Sequence, residues 1–381
     1  MIALTRALSL LAASWLALAS SSSASSASSA QAKGRKAGSD PKAVVEGEAG
    51  AKLDAAVRSF LPDPGFCGAV LVAARGKVLL EKGYGLFDAA TSKEMPADAL
   101  FDWASTSKQF TAAALLKLQD QKKLKLDDPI AKFFKSVPKD KAKITLRHLL
   151  NQTSGLPKGF REEWEFDSSR RESFEELMLG LTLESEPGRK FEYNNAGYAL
   201  AAAIVERVSG QRFEEFCVEN LFKPAGMKSA TFIGTKELDL RRVPKFDRGK
   251  GFPDRPPEDR FAYSNVLSWG YRGCGGAVAS VHDMYLWDRA LRGRTVLSPA
   301  AIKEYYEPAL DNYALGWRVD HPRGLLVEHG GDVRGFHCEY RRYLDADVCI
   351  ALMASFEPAN HDKEDPSILA ERLSVIALNF D

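Results

Sequence analysis

The chain has 381 residues, with 52 Lys and Arg against 51 Asp and Glu and a formal net charge of +1. This length fits two domains or one large one, and 45% hydrophobic with 27% charged residues is typical of globular proteins. The charge balance argues against a nucleic-acid binder, which needs a basic excess. No internal apolar run approaches the ~20 residues of a spanning helix, which excludes a multi-pass membrane protein.

Residues 1–32 are predicted to be a signal peptide. Arg6 precedes an apolar stretch over residues 7–19, long enough for the hydrophobic region of a secretory signal and short for a membrane span. Small residues at 17–19 and 30–32 both fit a cleavage site. Cleavage after Ala32 would remove Arg6 and leave 51 charges of each sign. We therefore expect an exported protein without a membrane span after signal removal; a retained N-terminal anchor is the alternative.

A polar stretch separates this signal from the first predicted helix. Residues 33–50 contain several Gly and Lys and few apolar side chains. Such a segment cannot bury enough apolar area to offset the entropy lost on ordering. We predict a disordered linker over residues 33–50, followed by a folded domain over residues 51–381.

Within the domain, the predicted elements place strands at both ends of the chain and helices between them. In chain order they are a helix over 51–60, strands over 68–74 and 78–82, helices over 109–118, 145–150, 161–181 and 196–208, a surface loop over 235–258, a helix over 280–291, strands over 325–328, 336–343 and 348–353, and a helix over 367–378. This order predicts an α+β fold with an antiparallel sheet flanked by helices. The sheet part takes about residues 51–119 and 261–381, and an all-helical insert takes about residues 120–260.

The segment Ser105-Thr106-Ser107-Lys108 opens the predicted helix over residues 109–118. A serine hydroxyl is a weak nucleophile until a base removes its proton, and a lysine three residues further along a helix lies on the same face. Ser105 and Lys108 therefore form a candidate nucleophile and base. The alternative is an N-cap serine beside a surface lysine. Ser39 and Ser136 begin the same four-residue pattern, but both patterns contain proline, which is awkward within a helical turn.

A second candidate group is Tyr193-Asn194-Asn195, just before the apolar helix over residues 196–208. A tyrosine near lysines can relay protons, and an asparagine can bind an amide. Tyr193 and Asn195 are the candidates, and the alternative is a capping asparagine beside a core tyrosine. Tyr263-Ser264-Asn265 matches the spacing but lacks the helix that follows.

A third group is His329-Gly330-Gly331, just after the predicted strand over residues 325–328. Glycines allow a substrate to approach the strand backbone, whose edge can supply an oxyanion-binding N–H. The histidine can hydrogen-bond the tyrosine or a substrate carboxylate. A β-bulge beside a surface histidine is the alternative.

Five cysteines, at positions 67, 217, 274, 338 and 349, fit no disulfide framework and no zinc site. Buried free thiols are the favoured interpretation, although an export signal permits disulfides. No cofactor or metal is expected.

With Ser-x-x-Lys, Tyr-x-Asn and His-x-Gly in this order, the chain resembles the serine β-lactamase and penicillin-binding-protein superfamily. It looks most similar to class C β-lactamases, D-Ala-D-Ala carboxypeptidases, and related esterases and D-aminopeptidases. Further landmarks are the segments 126–129 and 146–157, the Gly275-Gly276 pair and Gly316-Trp317, so that the resemblance covers about residues 51–381. It implies the β-lactamase/transpeptidase-like fold and a location in a bacterial envelope, periplasmic or secreted.

The resemblance also implies a role for each matching residue. Ser105 would be the acylated nucleophile, Lys108 its partner and Tyr193 the proton shuttle, while Asn195 would bind a substrate amide. His329, Gly330 and Gly331 would line the substrate strand. The backbone N–H groups of Ser105 and Asp332 would form the oxyanion hole. The family usually has a small residue at the position of Asp332, and a carboxylate there would repel an oxyanion unless its side chain points away.

Two departures from the family pattern bear on the substrate. His329 replaces the lysine usual in class C β-lactamases, so a permanent cation for a lactam carboxylate is missing, and His-x-Gly is similar to the carboxypeptidase, D-aminopeptidase and esterase branches. Neither a Ser-Asp-Asn element after the nucleophile nor a Gly-x-Ser-x-Gly elbow is present, which argues against class A enzymes and α/β-hydrolases.

We therefore expect an exported serine hydrolase that forms an acyl-enzyme on Ser105. Its substrates would be amides, lactams or esters, such as D-Ala-D-Ala peptides of the peptidoglycan type or β-lactams. An esterase or D-aminopeptidase on the same scaffold is one alternative, and a penicillin-binding sensor with little turnover is another. The oligomeric state and the true substrate stay open at this point.

Overall fold

The computed structural model describes residues 43–60, 67–88, 91–157, 170–244, 267–333, 336–355 and 365–380. The predicted signal peptide at 1–32, most of the predicted linker and the rival Tyr263 motif lie outside these residues. All described residues belong to one unit of the chain, Asp40–Asp381.

Twelve strands are present in the part of the chain that the structure describes. They are β1 Val44–Val45, β2 Gly68–Ala74, β3 Lys77–Tyr84, β4 Leu86–Asp88, β5 Lys93–Glu94, β6 Phe101–Asp102, β7 Thr231–Phe232, β8 Ala277–Ala279, β9 Arg318–Asp320, β10 Leu326–Val333, β11 Phe336–Tyr343 and β12 Val348–Ser355. Seven of them form one antiparallel sheet in the order β1-β3-β2-β12-β11-β10-β9. Strands from both ends of the chain therefore share one sheet, as predicted.

The α-helices of the described residues are, in chain order, α1 Gly47–Arg58, α2 Lys108–Asp120, α3 Leu146–Leu150, α4 Arg171–Gly180, α5 Asn195–Ser209, α6 Phe213–Cys217, α7 Lys223–Ala225, α8 Val281–Gly293, α9 Pro299–Tyr305 and α10 Pro366–Leu378. Short 3-10 helices cover Ala104–Ser107, Ile130–Lys132, Leu240–Arg242 and Leu310–Asn312, and a π-helical turn covers Val218–Phe222. None of the described helices is long and apolar enough to span a membrane.

The main sheet carries apolar side chains on both faces. Strand β2 is buried along its whole length, and its side chains alternate between two cores. On one face it packs with α1 and α10, and on the other it belongs to the larger core that contains α2 and α5. An apolar strand without alternation is typical of such a doubly covered position. The observed fold confirms the predicted α+β class.

Two features differ from the sequence prediction. The linker predicted over residues 33–50 ends earlier, because Val44–Val45 pairs with β3 as an edge strand and α1 begins at Gly47. The insert at residues 120–260 is helical in its described part except for β7, which joins β6 and β8 in a small three-stranded sheet. Two-residue strands are stabilised by tertiary pairing, and their sequence has no periodicity that could predict them.

Helix α2 lies in the core between the sheet and the insert. Nearly all its residues from Lys108 to Leu118 are buried, which explains its Ala- and Leu-rich sequence. Its N-terminal end meets β10, where the 3-10 turn Ala104–Ser107 lies against the strand. The residues predicted to carry chemistry meet at this end.

Candidate active site

Ser105 lies in the tight turn that leads into α2. The 3-10 turn Ala104–Ser107 continues directly into the helix at Lys108. Ala104 has a φ of +42°, and its N–H donates to Oδ1 of Asp102 at 2.9 Å. A residue other than glycine is strained in this region, and the surrounding contacts hold it there. The turn therefore fixes the position of Ser105 at the start of a buried helix.

The side chains of Ser105 and Lys108 are in contact. Lys108 Nζ lies 2.9 Å from Ser105 Oγ and also donates to the carbonyl oxygen of Cys274 at 3.0 Å. The lysine is fully buried, so that few competing partners reach its amine. An amine at this distance can take the hydroxyl proton as the serine attacks a carbonyl.

Tyr193 packs beside this pair. Lys108 Nζ lies 4.8 Å from the centre of the Tyr193 ring and 5.6 Å from that of Tyr198. Tyr198 is completely buried, and burial raises its pKa well above the usual range, so it stays protonated. Tyr193 is partly exposed and lines the cavity that contains Ser105, as a proton shuttle requires.

The two asparagines after Tyr193 differ in their contacts. Asn194 caps α5, since its Oδ1 accepts from the N–H of Gly197 at 2.9 Å and its own N–H donates to Gln152 at 2.8 Å. Asn195 is the first residue of α5, and its buried Oδ1 has no hydrogen-bond partner among the described residues. That oxygen is therefore unsatisfied, but Asn195 does not line the cavity, so the structure does not bring it to the predicted substrate site.

His329 lies inside β10, so the prediction that it follows the strand is wrong. The Gly-Gly pair suggested a strand end, but pairing with β11 continues through Val333. His329 Nε2 lies 2.9 Å from the Tyr313 hydroxyl and Nδ1 lies 2.5 Å from the Gly330 carbonyl oxygen. Because a carbonyl only accepts, Nδ1 carries the proton and Nε2 accepts from Tyr313. Both nitrogens are therefore occupied, and Tyr193 contacts the imidazole only through its ring, at 6.3 Å.

His329 is also neutral. Burial, followed by the charge of Lys108, lowers its pKa to about 3. A neutral histidine without an available N–H cannot serve as a cation for a substrate carboxylate. Any such cation must come from elsewhere in the cavity.

The two glycines of the third motif allow two close approaches on opposite faces of β10. A Cβ at Gly331 would lie 2.7 Å from the backbone N of Ser105 and 2.9 Å from Cβ of Ala104. A Cβ at Gly330 would lie 2.9 Å from Oε1 of Glu339. Only glycine at position 331 lets the strand run directly beside the backbone N–H of Ser105.

Asp332 directs its side chain away from Ser105. Successive residues of a strand face opposite ways, and Gly331 is the one that faces Ser105. The Asp332 carboxylate is 77% exposed and lies 2.5 Å from Nδ1 of His337, its cross-strand neighbour in β11. The orientation that the predicted oxyanion role requires is therefore present.

An open cavity of about 500 Å³ lies along β10 beside Ser105 and includes residues of both faces of the strand. Its walls are formed by Ser105, Tyr193, Arg318, Glu328, His329, Gly330, Gly331, Asp332, His337, Glu339, Arg341 and Ser367. Six residues of this wall were not predicted from the sequence: Arg318, Glu328, His337, Glu339, Arg341 and Ser367. Three of them could have been predicted, because His337, Glu339 and Arg341 alternate along one predicted strand and therefore share one of its faces.

Arg318 is distinctive among these charges. It is exposed, its guanidinium lies 6.0 Å from the Tyr313 ring centre, and it faces Glu328 across β9 and β10 but forms no ion pair among the described residues. The cavity's acidic groups do have partners: Glu328 and Glu339 approach Arg341, and Asp332 and Glu339 approach His337. Arg318 is thus positioned to bind an anionic group in the cavity.

The competing Ser-x-x-Lys pattern does not form such a site. Ser136 is exposed and belongs to no helix, and Ser39 lies outside the described residues. The five cysteines are all free, four of them buried, which agrees with the favoured interpretation. In the described part of the chain, no group of His, Cys, Asp and Glu side chains is arranged to hold a metal ion.

Comparison with known proteins gives matches over most of the folded chain. Residues 53–373 match the protein family Beta-lactamase. Penicillin-binding protein 4* of Bacillus subtilis is 28% identical over 74% of this chain and 66% of its own length. A D-aminopeptidase of Brucella anthropi is 27% identical over 77% of this chain and 57% of its own length. The chain thus spans about two thirds or less of the length of these curated relatives.

Solved structures share the fold. The D-amino acid amidase of Ochrobactrum anthropi SV3, in complex with L-phenylalanine amide, aligns with a TM-score of 0.72 at 22% identity over 86% of this chain and 99% of that one. An octameric penicillin-binding protein homologue from Pyrococcus abyssi aligns with a TM-score of 0.69 at 22% identity, over 86% of this chain and 76% of that one. At this identity the likeness extends to the fold alone.

Proposed function

Because the chain belongs to the Beta-lactamase family, we propose that it is a serine hydrolase that is acylated on Ser105. The observation that carries the proposal is the 2.9 Å contact between Lys108 Nζ and Ser105 Oγ at the start of a buried helix. Tyr193 and the β10 backbone border the same cavity. Nucleophile, proton shuttle and strand thus line one cavity, and the base contacts the nucleophile from behind its wall, as acyl transfer requires.

The proposed reaction has two halves. Ser105 Oγ attacks the substrate carbonyl while Lys108, with Tyr193, takes the hydroxyl proton, and the resulting oxyanion accepts from the N–H groups of Ser105 and Asp332. The proton then passes to the leaving group, whose bond to the carbonyl carbon breaks. Water attacks the acyl-enzyme in the second half, which releases the acid and restores the Ser105 hydroxyl.

We propose substrates that carry a carboxylate beside the scissile amide or lactam, such as D-Ala-D-Ala peptides or β-lactams. Arg318 supports this choice, since it is the cavity's cation that forms no ion pair among the described residues. Its guanidinium can bind a carboxylate in the role that neutral His329 cannot fill.

An esterase or D-aminopeptidase is the second candidate, supported by the D-aminopeptidase relative. A D-aminopeptidase must bind an ammonium group, for which the cavity wall offers the carboxylates of Glu328, Asp332 and Glu339. A sensor that acylates and turns over slowly is the third. A panel of nitrocefin, a D-Ala-D-Ala peptide, a D-amino-acid amide and a short-chain ester separates these candidates by relative kcat/KM, and slow release of the adduct identifies the sensor.

We further propose that the protein is exported by the signal at residues 1–32 and acts in the periplasm or outside the cell. Expression of the full chain in a bacterium, followed by fractionation and N-terminal sequencing, tests this. An N-terminus after Ala19 or Ala32 in the envelope fraction supports export, and an intact cytoplasmic chain contradicts it.

The decisive test of the catalytic proposal is intact-mass labelling with a penicillin and with a fluorophosphonate. We expect one adduct on the wild type and none on Ser105→Ala. Ser136→Ala is the matched control, because Ser136 begins the same four-residue pattern on an exposed segment. Equal labelling of Ser105→Ala and wild type would refute the assignment.

A further inference from the structure

One face of the β10–β11 hairpin carries a row of charged side chains beside the proposed oxyanion hole. Register pairs Asp332 with His337, Gly330 with Glu339 and Glu328 with Arg341 across the two strands. All six residues face the same way, because alternate residues of a strand share a face. Ser105 lies on the other side of β10, next to Gly331.

His337 is held between two carboxylates in this row. Its Nδ1 lies 2.5 Å from Oδ1 of Asp332, and its Nε2 lies 3.1 Å from Oε1 of Glu339. Glycine at position 330 makes this arrangement possible, since a Cβ there would lie 2.9 Å from the same Glu339 oxygen. Two acceptors on the two ring nitrogens require both nitrogens to carry protons, so the contacts fit an imidazolium.

The acidic side chain of Asp332 poses an electrostatic problem for the proposed reaction. Its backbone N–H is one of the two proposed oxyanion donors, and a carboxylate on the same residue repels developing negative charge. The nearest described cation to that carboxylate is His337.

We propose that His337 is a positioning residue for acylation: it holds the Asp332 carboxylate on the face of β10 opposite Ser105 and neutralises its charge. The Asp332 backbone N–H can then stabilise the oxyanion without an opposing negative charge nearby. This inference rests on the proposed function, because it concerns the acylation of Ser105.

Other charges near His337 are already paired among the described residues. On β11, Glu339 also approaches Arg341 at 3.5 Å, and Arg341 in turn contacts Glu328 of β10 at 3.1 Å and Glu371 of α10 at 2.9 Å. The β12 residue opposite His337 is the uncharged Ala354. Loss of the His337 charge therefore leaves Asp332 without another described cation to replace it.

The charge of His337 is present at neutral pH. Burial opposes it, but the hydrogen bonds to Asp332 and Glu339 outweigh burial and raise the pKa of His337 to about 9. The imidazolium is lost as the pH rises through that value. Acylation should then slow, because the Asp332 carboxylate is no longer neutralised beside the oxyanion.

The test is a double-mutant cycle of His337→Gln and Asp332→Ala, read as the rate at which a fluorophosphonate labels Ser105 at pH 7. We expect His337→Gln alone to slow labelling about tenfold, which corresponds to about 1.4 kcal/mol. In the Asp332→Ala background the same substitution should change the rate less than about threefold. An equal effect in both backgrounds, or no effect in either, would overturn the proposal.

A pH profile gives a second readout that does not depend on folding of the His337 variant. Wild type should lose labelling rate above about pH 9, and Asp332→Ala should lose less over the same range. If the labelling rates of the two proteins fall identically at alkaline pH, the inference is contradicted. If wild type never labels on Ser105, the proposed function fails and this inference with it; normal labelling without coupling between positions 332 and 337 overturns the inference alone.

Discussion

At the scale of single residues, the site depends on a few contacts around one buried amine. Lys108 donates to Ser105 and to the Cys274 carbonyl, and its Nζ lies 4.8 Å from the centre of the Tyr193 ring, so that the two residues proposed to move the serine proton are neighbours. Each residue in such a chain of proton transfers contributes to the same step, so loss of either should be costly.

We expect Lys108→Ala and Tyr193→Phe each to lower turnover by about two orders of magnitude or more, as is typical of lost acid–base catalysis. The measurement is kcat on the best substrate of the panel, with the melting temperature as a check on folding. Lys139→Ala, which alters the competing Ser136 pattern, is the control. Rates near wild type for both variants would contradict the mechanism.

Arg318 gives a prediction about selectivity. Arg318→Gln should raise KM about tenfold or more for a substrate with a carboxylate, since a charge-assisted pair is lost, and should affect a neutral short-chain ester little. Arg241→Gln, which removes an exposed guanidinium outside the cavity, is the control. Equal effects on both substrates would argue against a carboxylate-binding role.

At the scale of elements, β10 shows where the sequence was informative and where it was not. The Ser105–Lys108 contact could be predicted because three-residue spacing on a helix is a local property. The continuation of β10 through His329-Gly330-Gly331 could not, because glycine weakens a strand locally and only pairing with β11 maintains it. The neutrality of His329 likewise depends on burial and on the charge of Lys108, which no local pattern shows.

The close approach of β10 to the nucleophile can be tested at Gly331. Gly331→Ala places a Cβ 2.7 Å from the Ser105 backbone N, where real Cβ atoms do not lie, so strand or turn must shift. We expect labelling of Ser105 to slow at least about tenfold and the free energy of unfolding to fall by about 1–3 kcal/mol. Gly180→Ala, at an open helical position, should be neutral or slightly stabilising. Unchanged labelling of Gly331→Ala would show that the approach is unimportant.

At the scale of the whole molecule, the pKa values of two histidines on neighbouring strands are shifted in opposite directions. The pKa of His329 is lowered to about 3, so between pH 6.5 and 3 the unfolded chain binds a proton that the folded chain does not. The pKa of His337 is raised to about 9, so its stabilising contribution is complete below pH 6.5 and is lost as the pH rises through 9.

We therefore expect the free energy of unfolding, measured by urea titration across pH, to fall on both sides of a maximum near pH 6.5. His337→Gln should flatten the alkaline side and leave the acid side in place. His321→Gln is the control, since that histidine is exposed. If the free energy of unfolding of His337→Gln falls as steeply at alkaline pH as that of wild type, the His337 ion pairs do not contribute to stability.

The shared sheet has a consequence for how the chain folds. The Thr106 hydroxyl donates to the carbonyl of His329, 223 positions later, and β2 pairs with β12 from the far end of the domain. Contacts so distant in sequence form late and slowly, because the intervening loop must close first. A chain that is still being synthesised or is only partly folded thus has Ser105 and Lys108 but lacks the strand that completes the site. Acylation of Ser105 would then report that the last strands have docked, and a partly folded chain would be chemically inert.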